Sequence, residues 1–312
     1  VKVFIAGASG AIGTPMVRQL LAAGHEVTGM TRREERAEAI RAAGADAVVC
    51  DVFDAERLRE AVVAAAPEAV VHALTALPPK FKSRSDYLAA TNRIRIEGTR
   101  NLVAAARAAG ARRLVAESVS FFYRPQGSWV KDEEEPLNRD VPGRFGIALE
   151  AIAELERQVL GGEGIEGVVL RYGWFYGPGT YYDRGGQQAD EVIKRRLPIV
   201  GEGTGTFSFI HVEDAASGTV AALERGAPGV YNVVDDEPAP LRDWVPVYAE
   251  ALGAKPPRRV PAWLARLVAG KDVAAAAVGM RGASNAKARR ELGWQPAHPS
   301  WRQGFADALA QG

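Results

Sequence analysis

Gly7-Ala8-Ser9-Gly10-Ala11-Ile12-Gly13 stands between an apolar run at 1–6 and an alanine-rich amphipathic stretch at 12–23. Glycines at such a junction permit a tight turn and let the backbone approach a ligand. The free N–H groups that open the following helix, with the positive end of its dipole, suit a pyrophosphate. A glycine-rich turn alone is weak evidence, because a strand-to-helix junction can need one for shape only. Its surroundings give this one weight. Apolar strand patterns at 26–30, 47–50, 69–74 and 113–117 alternate with helical patterns at 33–42, 55–66 and 85–109, the last ended by Gly110. Alternation at this spacing implies βαβ units and an α/β fold, a doubly wound parallel sheet covered on both faces.

A charged, proline-punctuated segment, 126–143, interrupts this pattern before a helix at 145–160 and a strand at 167–171. Loops of that length in a compact domain are usually functional, so the segment is a candidate lid. Beyond Arg171, Pro178, Gly179, Gly185, Gly186 and Pro198 break the chain into short elements; a helix at 213–224, a strand at 230–233 and a helix at 241–252 are still legible. The reading is a dinucleotide-binding Rossmann domain over 1–171, with lid 126–143, and a smaller, mainly substrate-binding part over 172–312. Segment 207–233 is expected to return to the sheet.

Composition narrows the function. The 39 Lys+Arg balance 38 Asp+Glu for a net charge of +1, which gives nucleic-acid binding no support. No apolar run approaches the roughly 20 residues that span a bilayer, and the first residues show no secretion signal. The single cysteine, Cys50, cannot form an intramolecular disulfide, so a reducing cytoplasm is the expected compartment. The four histidines, His25, His72, His211 and His298, show no metal-ligand spacing, and no metal is expected.

The GxxGxxG spacing resembles the short-chain dehydrogenase/reductase superfamily, in particular its extended branch of NAD(P)-dependent epimerases and dehydratases. Four further stretches carry the resemblance along nearly the whole chain: Asn92 with Gly98-Thr99-Arg100-Asn101-Leu102; Leu170-Arg171-Tyr172 with Tyr176-Gly177-Pro178-Gly179; Phe209 to Ala215, in which His211 is read as a cap for the next helix; and Ala288 to Pro296. The resemblance implies a Rossmann fold and a nicotinamide cofactor held by Gly7, Ser9, Gly10, Ala11, Ile12 and Gly13. Asp51 and Val52 would lie at the adenine, Leu74 and Thr75 along the ribose and pyrophosphate. Asn92 and Tyr172 join the cofactor set. The second strand ends Met30-Thr31-Arg32-Arg33 with no acid until Glu34, and the Arg32 guanidinium suits the 2′-phosphate of NADP where NAD would call for a carboxylate. NADP is therefore expected over NAD. Relatives pair through the helices at 85–109 and 145–160, so a homodimer is expected.

The resemblance breaks at the chemistry. Family members use a Tyr four residues before a Lys, the cation lowering the phenol pKa so that it can exchange a proton with substrate. By position that pair is Phe145 and Leu149 here. None of the eight lysines has a Tyr four residues before it. The family's Ser/Thr position falls on Val119, flanked by Ser118 and Ser120, which strand alternation would point together toward the cofactor. Ser118, Ser120 and Tyr123 are thus the candidate proton donors. Phe121, Phe145, Trp174, Phe175 and Tyr176 form the expected substrate pocket, shaped for a bulky or aromatic small molecule. The first reading is an NADP(H)-dependent oxidoreductase acting on a bulky or aromatic carbonyl or alcohol. An NADP-sensing regulator and a cofactor-dependent isomerase, epimerase or cyclase are the alternatives.

Overall fold

The structure, a computed structural model, describes residues 1–78, 80, 84–141, 143–269, 275 and 278–310. Seven strands form the central sheet: β1 (Lys2–Ala6), β2 (Glu26–Thr31), β3 (Asp46–Val49), β4 (Ala69–His72), β5 (Arg113–Val119), β7 (Glu166–Tyr172) and β12 (Gly229–Val233). Their order is β12-β7-β5-β4-β1-β2-β3, and every neighbouring pair is parallel. The helices that connect parallel strands must cover both faces, and they do. Val3, Ile5, Val71, Val115, Val168 and Leu170 bury one face against α1 (Gly13–Ala22) and α8 (Val212–Arg225). Phe4, Ala6, Val70, Leu114, Ala116 and Val169 bury the other against α3 (Ala55–Ala65), α5 (Thr99–Ala108) and α6 (Gly143–Leu160). The period-2 alternation of each strand thus divides the core into two layers.

One expected helix is more complicated. The stretch read as continuous over 85–109 is α4 (Arg84–Arg93), a π turn over Ile94–Gly98 and α5. The wider turn inserts an extra residue into the helical repeat, a device frequent at functional sites. Gly98 allows it to lie close to the sheet side, since a Cβ there would press 3.2 Å from Val52 Cγ1.

The segment over 126–143 is stitched to the body. β6 (Val130–Lys131) pairs with β15 (Gly282–Ala283), Tyr123 bridges Leu137, and the Glu133 carboxylate accepts from the Asn232 N–H at 2.6 Å. Lys131, whose side chain is fully buried, donates to the Gln126 carbonyl and pairs with Glu135 at 3.2 Å.

Beyond β7 the chain builds a smaller layer over the C-terminal edge of the sheet. β8 (Trp174–Tyr176) pairs with β11 (Phe209–His211), and β10 (Thr206–Phe207) with β13 (Ala239–Pro240). An aromatic core of Tyr176, Tyr182, Phe209, Trp244, Tyr248, Trp301 and Phe305 joins these to α9 (Leu241–Ala251) and the helix Trp301–Ala310. No described helix is long and apolar enough to cross a membrane.

Candidate active site

The glycine turn is a cradle with no room for side chains. Gly7 has φ +103°, and a Cβ on it would lie 2.3 Å from the Ala73 carbonyl oxygen; one on Gly13 would lie 2.2 Å from the Gly7 oxygen. No side chain caps α1, and among the described residues the N–H groups of Ala11, Ile12 and Gly13 have no acceptor. Orphan donors at a helix start beside a tight glycine turn fit a pyrophosphate. Ser9 and Thr31 hydroxyls meet at 3.2 Å on the adjoining rim. Arg32 follows at the end of β2, exposed and without an ion pair among the described residues. Asp51 accepts from the Phe53 N–H, and Val52, buried, accepts from the Asn101 amide at 2.9 Å. Leu74 N–H is fixed by His72 Nδ1, with Thr75 half-buried beside it. Asn92 is buried, and its Oδ1 has no partner among the described residues. All but Asn92, on α4, follow the C-terminal ends of β1, β2, β3 and β4. Tyr172 is different from expectation: its ring lies in the core and its hydroxyl meets Thr219 Oγ1 on α8 at 2.5 Å, so it turns inward.

Two of the expected proton donors, Ser118 and Tyr123, lie in a buried network, and Ser120 is buried as well. Glu156 on α6 receives Arg171 through two bonds, at 2.8 and 2.6 Å, and the Ser118 hydroxyl at 2.7 Å. Arg171 also donates to the Tyr123 hydroxyl, which donates to Asn232 Oδ1 at 2.7 Å. Burial pushes the Tyr123 phenol up to about 12 against the pull of Arg171. Ser118 therefore does not point toward the cofactor edge as strand alternation suggested for it and Ser120. β5 ends at Val119, and the Ser118 hydroxyl turns to α6 because the buried carboxylate there needs a donor. Glu156 had no signal in the sequence that separated it from a surface helix acid.

Val119 and Leu149 fall in one apolar cluster with Tyr123, Leu137, Ile152 and Val234, and Phe145 lies half-buried one turn before Leu149 on α6. Among the expected pocket aromatics, Phe121 and Trp174 stack at 4.2 Å, with Phe122 at 5.1 Å from Phe121 and Phe207 at 5.9 Å from Trp174. Two others do not join them. Along β8, Tyr176 shares its face with Trp174 but is fully buried in the aromatic core, and alternation turns Phe175 the other way, against Tyr172 and the sheet core.

Two charged groups were not anticipated. Arg95, on the π turn, and Glu117, on β5, are both half-buried, and neither makes a hydrogen bond or ion pair among the described residues. Burial pushes Glu117 up to about 7, with Arg95 pulling it back, and burial holds Arg95 below its usual range. A carboxylate in a central strand of a parallel sheet, RLVAESV, was the available signal, since such strands are usually apolar throughout. The fold also joins two histidines that looked scattered: His211 and His298 stack at 3.9 Å beside Asp214. Asp214 already accepts from the N–H groups of Ala297 and His298 and meets His298 Nδ1, and His211 Nδ1 caps α8 at the Glu213 N–H. The group clamps a turn.

The family model for the NAD dependent epimerase/dehydratase family matches residues 3–233. The chain belongs to that family. This extended short-chain dehydrogenase/reductase is therefore an enzyme of the oxidoreductase and epimerase type whose cofactor is a nicotinamide dinucleotide. It is 48% identical over 306 residues to a 3-diazoavenalumate denitrifying reductase of a Streptomyces species, covering 97% of this chain and 99% of that one. A 2-alkyl-3-oxoalkanoate reductase of Stenotrophomonas maltophilia is 26% identical over 272 residues, 81% of this chain and 76% of its own. Among solved structures, a dTDP-glucose 4,6-dehydratase from Streptomyces venezuelae with NAD bound superposes with a TM-score of 0.79 at 21% identity, covering 99% of this chain and 96% of that one. At that identity the likeness speaks for the family's fold alone.

Proposed function

We propose that the chain is an NADP(H)-dependent reductase of an aromatic diazo compound, in which hydride passes from the nicotinamide to substrate without a phenol acid. The observation that carries this reading is the apolar cluster of Val119 and Leu149, with half-buried Phe145 one turn before Leu149, where a proton-transfer group would be expected. Reduction of a carbonyl develops charge on oxygen and needs an acid. Reduction of a diazonium does not: hydride adds to the terminal nitrogen, giving Ar–N=NH, which loses N2 and leaves Ar–H. The name of the Streptomyces relative, a denitrifying reductase of a diazo substrate, agrees with that chemistry. The stacked Phe121 and Trp174 offer an aromatic ring a flat surface.

A bulky carbonyl is the second reading, favoured by the oxoalkanoate reductase among the relatives. It would draw its proton from a non-standard donor; Ser118, Ser120 and Tyr123 are the candidates, and two of them must first leave the Glu156–Arg171 network. The chain's own groups would hold the cofactor: Gly7 to Gly13 at the pyrophosphate, Asp51 and Val52 at the adenine, Leu74, Thr75 and Asn92 along its length, and Arg32 at the 2′-phosphate. In this reading residues 1–171 would bind cofactor and 172–312 would shape most of the substrate side. Exposed Ile96 and Ile147, on the π turn and α6, support a homodimer through that face, and buried, unpaired Cys50 suits the cytoplasm.

Arg32→Glu tests the cofactor. Losing the guanidinium and adding a carboxylate is expected to weaken NADPH about 100-fold, two bidentate charge-assisted bonds being worth roughly 3 kcal/mol, while NADH changes little. Titration by fluorescence measures both. Equal losses for the two cofactors would remove Arg32 from the 2′-phosphate. NADPH binding with no turnover of any diazo or carbonyl compound would turn the reading to a sensor, and turnover with no net NADPH oxidation to an isomerase.

A further inference from the structure

We propose that the helix Ala262–Ala269, with the basic segments around the strand pair Ile199–Val200 and Arg259–Val260, forms a surface that docks on an anionic lipid bilayer. The chain as a whole is close to neutral, yet its cations are not spread evenly. Segment 193–200 holds Lys194, Arg195 and Arg196, segment 251–267 holds Lys255, Arg258, Arg259 and Arg266, and neither contains an acid. The fold brings the two segments together. Ile199–Val200 runs parallel to Arg259–Val260, the Ile199 N–H donates to the Arg258 carbonyl at 2.8 Å, and Arg195 Nε donates to the Pro256 carbonyl at 3.1 Å. Lys194 pairs with Asp190. Arg196, Lys255, Arg258, Arg259 and Arg266 are exposed and have no ion pair among the described residues.

The helix that follows carries apolar side chains outward. Its buried residue is Ala265, which packs with Val200 and Val260. At 3.6 residues per turn, Trp263 and Leu267 each stand about 160° around the helix from Ala265, and so form its outermost ridge. They are 63% and 76% exposed. Leu264 and Arg266, each about 100° from Ala265, flank that ridge, and both are exposed. An apolar ridge outermost, with cations beside and behind it, matches the order of a bilayer surface: indole and leucyl groups enter the acyl boundary while guanidinium groups stay among the phosphates. A second copy of this chain is a poor occupant, because it would bring another set of unpaired cations against the first. Exposed cations without fixed acceptors suit a mobile layer of headgroups better than a partner of one shape. This association needs no spanning helix and is independent of the cofactor and the reaction.

Flotation of the full chain with lipid vesicles is the test. Vesicles of equal phosphatidylglycerol and phosphatidylcholine should bind it at least about tenfold more tightly than vesicles of phosphatidylcholine alone, and salt at about 0.5 M should remove most of that difference. A cation near an anionic surface is worth about fivefold in affinity, so Arg196→Gln with Arg258→Gln should weaken binding about 25-fold. Trp263→Ser with Leu267→Ser should weaken it at least about tenfold. The blue shift of tryptophan fluorescence on binding should vanish in Trp263→Phe, which should keep most of the affinity. All these positions are exposed, so each variant should melt like wild type. Equally weak binding to both kinds of vesicle, or binding to the anionic ones that both double variants leave intact, overturns the proposal. Binding to heparin in solution as tight as to the anionic vesicles, and undiminished in Trp263→Ser with Leu267→Ser, assigns the surface to an acidic macromolecule and overturns it as well.

Discussion

Glu156→Ala is expected to destabilise the fold by about 3–5 kcal/mol, the usual cost of removing one partner from a buried ion pair. The reason is what would remain. Arg171 is 6% exposed, and Glu156 supplies both acceptors of its fork as well as the acceptor of Ser118. Without that carboxylate a buried guanidinium keeps only the Tyr123 hydroxyl. Urea denaturation at neutral pH should show a large fall in midpoint, and Glu156→Gln, which retains one acceptor oxygen, a smaller one. The substitution also distinguishes roles for Tyr123. If the network serves only to fix the end of β5 against α6 and β7, activity should fall in step with stability. A near-normal melting temperature in Glu156→Ala would mean that the bonds contribute little, and would return Ser118 and Tyr123 to the list of available acids.

The second large effect concerns the missing dyad. Phe145→Tyr with Leu149→Lys restores the spacing that the family uses, yet the double variant is expected to lose on the order of 3 kcal/mol or more, because position 149 is 1% exposed and packs with Leu137, Ile152 and Val234. An ammonium placed there has no carboxylate partner in that cluster. Phe145→Tyr alone, at a half-buried position, should melt within about 1 kcal/mol of wild type. Diazo reduction should not be accelerated in either variant, since no oxygen needs a proton. Thermal melts and NADPH consumption measure the two expectations together. A double variant as stable as wild type would show that the cluster is looser than its packing implies.

Much of the scaffold could be read from sequence because its signals are local. Strand runs and glycine positions in the first half report directly on backbone geometry, and β1, α1, β2 and α3 lie within a residue or so of where the pattern put them. The π turn left no such mark: Ile94-Arg95-Ile96-Glu97 is ordinary helical sequence, and the turn meets α6, which is distant in the chain. Side-chain direction was the other blind point. Trp174, Phe175 and Tyr176 read alike, but alternation along β8 turns Phe175 to the sheet core and leaves Trp174 and Tyr176 on the other face, where only Trp174 stacks on Phe121. The hydroxyls of Ser118 and Tyr123 looked free because their partners, Glu156, Arg171 and Asn232, are distant in the chain.

The central claim, hydride transfer from NADPH to an aromatic diazo substrate with no phenol acid, is tested most directly by supplying the protein with an arenediazonium carboxylate and NADPH. The account predicts one NADPH oxidised for each arene and each N2 formed, faster than in protein-free solution. It also predicts slowing when the transferred C4 hydrogen of the nicotinamide is deuterium. Loss of N2 without NADPH oxidation, or a rate indifferent to that deuterium on either face of the ring and no greater than the protein-free rate, would contradict it.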